Sequence, residues 1–588
     1  MIVRLALTTR PVRCVTFLCL LLSATADADT FRVGVGTGCT HATLELAIAA
    51  AAANGPGDDE IFLTSPAITL GGLIEINNQT LSVLGGFSSC TAVAATGRTT
   101  LTRTGPSDAF WVHGTATTEL RLGEIDLVMG PSAGRGMLID GPGSTTVYLN
   151  NSSVTEGQAP EGGNIWIGGA SSLLYVTDSV ISLGQATVGD GGGIYCEAGA
   201  EVSLDQGSDL HTNSAAGAGG GAFLDGCHLG VSSGWDGIPG GPNSHIYFNQ
   251  ALSGKGGGIA ALGGASVALL GSEPNQHVYL SENFALGVAG GSGGGLSLEG
   301  VGTQATIWNS WIDGNRSHQA GGGVYIGSGA SFTMEVNPLS CWPGRDCSKL
   351  INNDSAASGG GGIAVLPGAQ ATLRQTEISG NYTGGGGSGA AVAITGAGAT
   401  LDIEGCEFFH NYYAPPVGVE SPRIFAGPAS TLTVAFSTIV EDLVAPGMAV
   451  LQNNNAVSMR LLSSIVQASK TFTSVPPATQ VDCVIVRETA SLPLSATAVA
   501  TVTDPALLFN LTTPTDFSIL RDSQAEDFCD TSVYTPVTTD IDGQIRGYDD
   551  VPLNAFGPYD LGADEWQPAI FAAGFESGDL LGWSAVVP

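Results

Sequence analysis

Positive charge is scarce in this sequence. Only 19 Lys and Arg stand against 53 Asp and Glu among 588 residues, which gives a formal net charge of −34. A chain with this balance repels polyanions, because binding to nucleic acid depends on cationic side chains that neutralise phosphates. An anionic membrane surface is disfavoured as a partner for the same reason. The charge balance therefore excludes nucleic-acid binding.

Long apolar runs are absent beyond the N-terminus. There, Arg4, Arg10 and Arg13 precede an apolar run at residues 14–22, and small-residue cleavage signals follow at residues 24–28. This order is typical of a secretory signal peptide. No later segment reaches the length of about 18 apolar residues that a membrane-spanning helix needs. We expect an exported chain, extracellular or at the cell surface or outer membrane, with no transmembrane segment after the signal peptide.

Cysteines are few, and their spacing lacks the common zinc motifs. The chain has 11 Cys, of which Cys14 and Cys19 fall in the predicted signal peptide. Because no CxxC or HxxxH spacing occurs, the other Cys indicate structural disulfides in an oxidising compartment, with one thiol left over. The predicted pairs are Cys39 with Cys90, Cys341 with Cys347, and Cys483 with Cys529.

Glycine, by contrast, is abundant and periodic, with 86 residues. Runs of Gly followed by an apolar or small residue recur at intervals that indicate a repeat protein. About six residues after most runs comes a second turn, as at Gly199 and Gly264. Glycine supplies positive φ at such corners without steric cost. The runs end at Gly193, Gly221, Gly258, Gly295, Gly323 and Gly362, with a looser copy at Gly389.

An asparagine also recurs once in each repeat, three residues after an apolar or aromatic residue. Recurrence at one corner is typical of stacked amides that hydrogen-bond along an axis, although Asn also tolerates left-handed turns. Both interpretations give these residues a structural role in a turn, and neither makes them catalytic. They are Asn213, Asn249, Asn283, Asn315, Asn353, Asn381 and Asn411.

The segments between the Gly runs, the second turns and the recurring Asn are predicted to be short strands. They alternate apolar and polar residues with period 2, as at residues 199–204 and 329–336. Three short strands per repeat predict an all-β parallel β-helix of roughly fourteen coils, right-handed like most parallel connections. A helix over residues 43–53, with Thr43 as its N-cap, is expected to cover the first coil.

The repeats resemble those of secreted bacterial right-handed parallel β-helix proteins related to the chlamydial polymorphic outer-membrane proteins, which pair GG[ALVI] with FxxN. Gly192-Gly193-Ile194 and five further Gly-Gly pairs match the first element, and Phe408-Phe-His-Asn411 matches the second. The resemblance implies the fold and an exported or surface location. It says little about activity.

The C-terminal region resembles the choice-of-anchor Q segment that often closes such β-helices, through residues 539–546 and 560–565. We expect Arg546 to face Asp540 or Asp560 and tie down the last coil; a catalytic Asp/Arg site is the alternative. The last residues resemble a short C-terminal motif of exported proteins. The predicted organisation is a signal peptide at 1–28, an N-terminal cap and first coils at 29–100, β-helix repeats at 101–520, a C-terminal cap at 521–566 and a tail at 567–588.

The signatures of polysaccharide-cleaving β-helices are missing. The sequence has no Gly-His-Gly, Arg-Ile-Lys or Asn-Thr-Asp triplet and no phosphate-binding Gly loop. Asp190 and Asp225, with Asp178 and Asp205 nearby, could act as acids or bind Ca²⁺, but isolated acids on so acidic a chain are more often solvated turn residues. We predict no cofactor or metal and a noncatalytic adhesive or structural protein. A polysaccharide lyase or glycoside hydrolase on the same scaffold is the alternative.

Three repeats carry insertions of about five to ten residues in the same turn, before Asn249, Asn283 and Asn353. Because equivalent turns of a solenoid stack on one side, the insertions predict a protruding face that binds a polysaccharide or a cell-surface protein. Exposed Trp and Arg are typical of such surfaces. The alternative is that loops grow wherever they are tolerated, and the oligomeric state stays open. The candidate binding residues are Trp235, Trp342, Arg345 and Asp346.

Overall fold

The structure is a computed structural model, and its described residues cover most of the chain between the predicted signal peptide and the tail. They are 28–55, 57–234, 242–272, 276–337, 347–384, 388–413, 422–441, 449–473, 478–510, 517–526, 528, 538–542, 544–547 and 559–565. The chain winds into a parallel β-solenoid, in which successive coils place their strands side by side in three sheets.

Sheet one contains fourteen strands, which agrees with the predicted number of coils. Each strand pairs in parallel with the equivalent strands of its neighbouring coils. Its strands are Ile74–Asn77, Phe110–His113, Met137–Ile139, Ile165–Ile167, Ile194–Cys196, Ala222–Asp225, Ile259–Leu262, Leu296–Leu298, Val324–Ile326, Ile363–Val365, Val392–Ile394, Ile424–Ala426, Ala449–Asn453 and Lys470–Phe472.

Sheet two contains thirty strands, and most coils contribute two strands to it, which form a first and a second arm. The first arm consists of Thr30–Val33, Asp58–Leu63, Thr80–Leu84, Thr118–Gly123, Thr145–Asn150, Ser172–Thr177, Glu201–Asp205, His228–Ser233, Ser266–Gly271, Gln304–Trp308, Ser331–Glu335, Gln370–Arg374, Thr400–Glu404 and Thr431–Ala435.

The second arm consists of Ala67–Thr69, Thr99–Arg103, Ile125–Met129, Ser153–Thr155, Val180–Ser182, Asp209–His211, Ser244–Tyr247, Val278–Ser281, Trp311–Asp313, Ser348–Ile351, Thr376–Ser379, Glu407–Phe409 and Thr438–Val440. At the C-terminal end both arms continue into the long strands Ser458–Gln467 and Thr479–Val486, followed by Thr497–Thr501.

Sheet three adds a fourth, two-residue strand to nine coils, where the sequence predicts three strands per coil. These strands follow the second arm after a sharp turn. They are Gln158–Ala159, Gln185–Ala186, Ser214–Ala215, Gln250–Ala251, Phe284–Ala285, Arg316–Ser317, Asp354–Ser355, Tyr382–Thr383 and Tyr412–Tyr413.

The core is one apolar column that runs along the axis. Residues within a strand alternate between buried and partly exposed positions; in Glu201–Asp205, for example, Val202 and Leu204 point inward. Parallel register places these residues on Leu229 and Val231 of the next coil. The buried apolar cluster extends without interruption from Val33 to Val486. Each coil therefore buries its inward side chains mainly against equivalent residues of its neighbours.

The predicted capping helix is present as Leu44–Asn54. The Thr43 hydroxyl accepts a hydrogen bond from the Leu46 N–H at 3.3 Å, so Thr43 is the N-cap. The buried side chains of Leu44, Ala47 and Ile48 pack at the start of the apolar column. Among the described residues, no helix is long and apolar enough to cross a bilayer.

Two disulfides join described cysteines. Cys39 is bonded to Cys90, as the sequence predicts. The bond between Cys196 and Cys227 is not among the predicted pairs; it links two consecutive coils across a Gly run. Burial raises the pKa of the free thiol Cys406 to about 12. Cys347 and Cys483 are disulfide-bonded, and their predicted partners, Cys341 and Cys529, lie outside the described residues.

A ladder of buried Asn side chains runs parallel to the core. In each step the Nδ2 of one Asn donates to the Oδ1 of the Asn in the next coil, at 2.9 to 3.2 Å. All seven Asn that the sequence singles out take part, and Asn164 begins the ladder at its N-terminal end. Each of these side chains is fully buried.

Every polar group of a ladder amide is used. Asn283 Nδ2 donates to Asn315 Oδ1 at 2.9 Å and to the Ile246 carbonyl at 2.9 Å, while its Oδ1 accepts from the backbone N–H and the Nδ2 of Asn249. Because the amides all point the same way, their dipoles add, with the positive N–H end toward the C-terminus.

A buried carboxylate meets that positive end. Asn411 Nδ2 donates to Glu441 Oε1 at 3.2 Å, and Arg423 Nε donates to Glu441 Oε2 at 3.4 Å. Burial raises the pKa of Glu441 to about 7, although Arg423 and the Asn411 hydrogen bond oppose the shift. The ladder therefore ends on a group that titrates near neutral pH.

The described C-terminal residues 538–542, 544–547 and 559–565 contact the side of the solenoid, at the corner between the two arms of sheet two. Gln375 Nε2 donates to the backbone carbonyls of Thr539 at 3.0 Å and Asp540 at 2.7 Å. Nearer the C-terminal end of the solenoid, the Gly562 N–H donates to the carbonyl of Ser463, which lies at the same corner, at 3.1 Å. The described part of this segment also packs against the last strands, because Leu561 shares a buried apolar cluster with Ile485 and Ala500. Closure of the last coil stays a prediction.

Arg546 is enclosed within this C-terminal segment. Its Nη2 donates to the carbonyls of Gly562 and Ala563 at 2.9 and 2.6 Å. Its guanidinium forms an ion pair with Glu565 at 3.6 Å, and its charge also acts on Asp540, one of the two predicted partners. Burial raises the pKa of Asp540 to about 7, which the charge of Arg546 opposes. Since the Arg546 and Glu565 side chains are 0% exposed, the group is structural and inaccessible to a substrate.

Asn283→Ala is expected to destabilise the solenoid. It leaves the buried backbone N–H of Asn249 and one hydrogen of its Nδ2 without an acceptor, and each such group costs about 1–3 kcal/mol. Asn315 Oδ1 loses one donor and keeps the backbone N–H of residue 283. We expect clear decreases in the thermal and urea midpoints. Gln304→Ala, at an exposed strand position, is the control and should change neither. Equal midpoints for the two variants would contradict a stabilising ladder.

Glu441→Gln is expected to change how stability depends on pH. A carboxyl whose folded pKa is raised from 4.5 to about 7 destabilises the folded state as pH rises through that interval. The free energy of unfolding of the wild type should therefore fall by about 3 kcal/mol relative to the variant between these values. Urea unfolding at several pH values measures this difference, with the exposed Glu282→Gln as control. Parallel profiles for wild type and Glu441→Gln would contradict it.

Candidate functional site

A groove of about 480 Å³ lies at the corner between the second arm of sheet two and sheet three. Residues from five consecutive coils line it, so the groove runs along the axis. Its lining residues are Met129, Pro131, Glu156, Gln158, Leu183, Gln185, Thr212, Asn213, Ser214, Phe248 and Gln250.

Four of the lining residues hold a strained backbone conformation. Glu156, Leu183, Thr212 and Phe248 occupy the same turn in successive coils, with φ of 66°, 59°, 56° and 53°. An L-residue in this left-handed region costs roughly 1–2 kcal/mol. At the equivalent turn of later coils, two residues are Gly314 and Gly380, whereas Glu282, Asn352 and His410 share the left-handed conformation. The groove coils thus keep side chains at a strained turn, and they share this strain with three later coils.

Amide side chains form one wall of the groove. Gln158, Gln185, Ser214 and Gln250 are the outward residues of sheet three, in register with one another. Each Gln amide offers both donors and an acceptor. Leu183 and Phe248 lie beside them and are 44% and 43% exposed. The groove thus combines apolar surface with hydrogen-bonding groups.

The groove carries little charge. Glu156 is the one ionisable side chain in its lining. The next acid at the equivalent turn is Glu282, four coils further along, or about 19 Å at the spacing of adjacent strands. Paired carboxyls in glycosidases lie about 5 to 9.5 Å apart. The lining therefore favours binding of a neutral molecule over acid–base cleavage.

An aromatic ladder lies around the corner, on the outward side of the second arm. One residue per coil stands in register over six coils. His245 stacks on Tyr279 with ring centroids 5.1 Å apart, and Tyr279 meets Trp311 edge-to-face at 5.3 Å. The ladder consists of Asp209, His245, Tyr279, Trp311, Lys349 and Glu377.

Charged residues occupy both ends of the aromatic ladder. Asp209 pairs with His245 at 3.0 Å. At the other end, Lys349 Nζ lies 4.9 Å from the centroid of the Trp311 ring and 2.6 Å from Glu377. The Lys349–Glu377 ion pair therefore neutralises one end of the ladder, Asp209 hydrogen-bonds to His245 at the other end, and the middle presents rings.

A second row joins the aromatic ladder to the groove. His211 stacks on Tyr247 at 4.7 Å, and Tyr247 meets Phe248, a groove residue, at 5.4 Å. Burial lowers the pKa of His211, although Asp209 opposes the shift. Burial also raises the pKa of Tyr247. These rings are therefore neutral near pH 7, and the groove and ladder form one continuous, largely uncharged surface.

The predicted binding residues Trp235, Trp342, Arg345 and Asp346 lie outside the described residues. The strands that flank the three insertions are described. They end at Ser233, Gly271 and Glu335 in the first arm and resume in the second arm. All three insertions therefore lie between the two arms, directly before strands that carry Tyr247, Tyr279 and Lys349.

The four acids that the sequence places in neighbouring coils separate into two pairs. Asp190 and Asp225 flank sheet one. Asp178 and Asp205 lie between the two arms of sheet two, where Asp205 accepts hydrogen bonds from Ser203 and Ser232. Within the described part of the chain, no three His, Cys, Asp or Glu side chains converge as metal ligands.

The groove residues are not found by searching the sequence for uncommon catalytic or metal-binding side chains. What marks them in the sequence is a dipeptide directly after the turn that follows the second arm, in which the second residue is Ala. Examples are Gln158-Ala159, Gln185-Ala186 and Gln250-Ala251. Ala points inward and the preceding residue outward, so a column of outward residues could have been read from this dipeptide.

Comparisons with known proteins provide little information about this surface. The sequence matches no protein family, and no curated protein matches it. Among solved structures, the chain is similar to two variants of the tailspike protein of E. coli bacteriophage HK620, each in complex with a pentasaccharide. The first shares 11% identity over 79% of this chain and 74% of that chain, with a TM-score of 0.28. The second shares 10% identity over the same fractions, with a TM-score of 0.24.

Proposed function

We propose that this protein is an exported, noncatalytic β-helix that binds a neutral oligosaccharide in the groove and on the adjoining rings. The observation that carries the proposal is the groove itself, in which the partly exposed side chains of Leu183 and Phe248 lie beside the Gln wall. Both residues keep a side chain at a left-handed turn where Gly would be less strained.

The chemistry of the groove suits a sugar chain. A pyranose ring presents apolar C–H faces and a rim of hydroxyl groups, and the groove presents exposed Leu183 and Phe248 beside amides that donate and accept. The lining repeats once per coil along the axis. A linear oligosaccharide can therefore lie along the groove and make similar contacts to successive coils.

Binding without cleavage follows from the single carboxylate. Glycosidic hydrolysis requires two suitably spaced acids, and Glu156 is the one acid of the lining. Ring stacking and amide hydrogen bonds increase affinity without a chemical step. The lyase or hydrolase alternative would need groups from beyond this lining.

Export and attachment complete the proposal. The signal-like N-terminus, the resemblance to secreted repeat proteins and the anchor-like C-terminal region support a location outside the cell or on its surface. The disulfides Cys39–Cys90 and Cys196–Cys227 agree with an oxidising compartment. There, a rod with sugar-binding groups along its side would act as an adhesin.

Phe248→Gly and Leu183→Gly should weaken glycan binding while preserving or increasing stability. Each removes an apolar contact and relieves a left-handed L-residue, worth roughly 1 kcal/mol. We expect at least about tenfold weaker binding, or 1.4 kcal/mol, by calorimetry with the best ligand from a panel of neutral oligosaccharides. Thermal midpoints should be equal to or above that of the wild type.

Glu282→Gly is the matched control, because it relieves the same conformation one coil beyond Phe248 but outside the groove lining. It should raise stability and leave binding unchanged. Equal loss of binding in the control, or no loss in the groove variants, would contradict the proposed site. Release of new reducing ends or unsaturated uronates from the panel would favour the enzyme alternative.

A further inference from the structure

A second aromatic row lies on a different face, the outward side of sheet one. Trp166, Tyr195 and Phe223 are in register in three consecutive coils. Trp166 and Tyr195 are partly exposed, whereas Phe223 is buried at the end of the row. Their ring centroids are 6.3 and 5.1 Å apart, with interplanar angles of 7° and 23°. Since 6.3 Å exceeds the coil spacing of about 4.8 Å, the indole is offset and part of its face is not covered by Tyr195.

Four carboxylates lie beside this row: Glu197 and Asp225 occupy equivalent positions at the ends of adjacent strands, and Glu161 and Asp190 each precede a strand of the row by four residues. Burial and the charges of Glu161, Glu197, Asp225 and Asp190 raise the pKa of Tyr195 to about 12. Burial, Asp225 and Glu161 also raise the pKa of Glu197. All four acids therefore act on one small area of sheet one.

These carboxylates differ from the other acid clusters in having no protein cation. Glu377 pairs with Lys349, and Glu335 and Glu404 share Arg374. Across the described parts of the chain, no ion pair involves Glu161, Asp190, Glu197 or Asp225. Their mutual repulsion is therefore left uncompensated by the chain itself.

In the same sheet, a lysine ammonium lies between a ring and a carboxylate at positions equivalent to Tyr195 and Glu197. Tyr325 occupies the strand position equivalent to Tyr195, and Glu299 the turn position equivalent to Glu197. There, Lys255 Nζ lies 4.3 Å from the centroid of the Tyr325 ring and bonds to Glu299. An ammonium between ring and carboxylate gains both a cation–π contact and an ion pair.

We infer that the Trp166–Tyr195–Phe223 row is a second binding site, for an oligosaccharide whose sugars carry free amino groups. Successive ammonium groups would occupy the place that Lys255 takes at Tyr325, and the sugar faces would pack on the offset rings. Acids on both sides of a row three coils long suit an extended ligand with several charges. This site is on another sheet from the groove and does not depend on the function proposed there.

The test measures binding of a glucosamine hexamer to the full chain by calorimetry at low and high salt. The N-acetylated hexamer and spermine are the two comparison ligands. We expect the glucosamine hexamer to bind more tightly than either and to lose affinity as salt rises. Equal affinity for the N-acetylated hexamer would overturn charge recognition, and equal affinity for spermine would overturn recognition of the sugar rings.

Two variants locate the site. Trp166→Ala, and Glu197→Gln combined with Asp225→Asn, should each weaken binding of the glucosamine hexamer by about tenfold or more. The second variant keeps the side-chain volumes and tests the site even where Trp166→Ala lowers stability. Unchanged affinity in the double variant would overturn the proposal.

Matched controls separate this site from general attraction to an acidic protein. Tyr175→Ala alters another stacked pair, Tyr148 and Tyr175, which already has Arg121 over the Tyr148 ring. Asp402→Asn removes an exposed acid elsewhere. Both should retain full affinity, as should Phe248→Gly in the groove. Losses in the controls as large as in the site variants would overturn the assignment.

Discussion

Hydrogen bonding between consecutive coils is the interaction on which the rest of this structure depends. Short strands of two to six residues cannot be stable alone, and here each one is paired in parallel on both sides along most of the rod. The Asn ladder extends the same principle to side chains: an amide such as Asn283 fills its donor and acceptor positions entirely from adjacent coils. Stability therefore accumulates along one direction, coil by coil.

That constraint also organises the surface. Parallel register stacks outward residues into straight columns, so one residue type repeated in a few coils becomes a continuous strip. The Gln column of sheet three, the aromatic ladder of sheet two and the Trp166–Tyr195–Phe223 row of sheet one all arise in this way. The strips differ in charge, because Lys349 and Glu377 pair on sheet two, whereas the four acids beside the Trp166–Tyr195–Phe223 row form no ion pair within the described residues. One scaffold can thus present different chemistry on different faces.

Much of the fold could be predicted from the sequence, because Gly runs, Asn residues and alternating strands recur in a fixed order. The structural role of the seven Asn and the Cys39–Cys90 bond could be predicted from the positions of these residues in the sequence alone. The two-residue strands of sheet three could not be predicted, since two residues show no periodicity. The Arg546–Glu565 pair depends on contacts between described C-terminal residues, such as Thr539, and coils that are distant in the sequence, which no local pattern encodes. The groove was missed because its residues are ordinary Gln, Leu and Thr, which carry no uncommon chemistry.

The Asn ladder has a further consequence for how such a rod can change during evolution. Each coil presents identical amide partners above and below, so gain or loss of one complete coil restores every hydrogen bond, whereas gain or loss of part of a coil breaks the series. Lengthening is therefore quantised, in steps of about 4.8 Å. A duplication between Asn283 and Asn315 would lengthen the rod toward its C-terminal end by one such step, while leaving intact the groove and the acidic row that precede it.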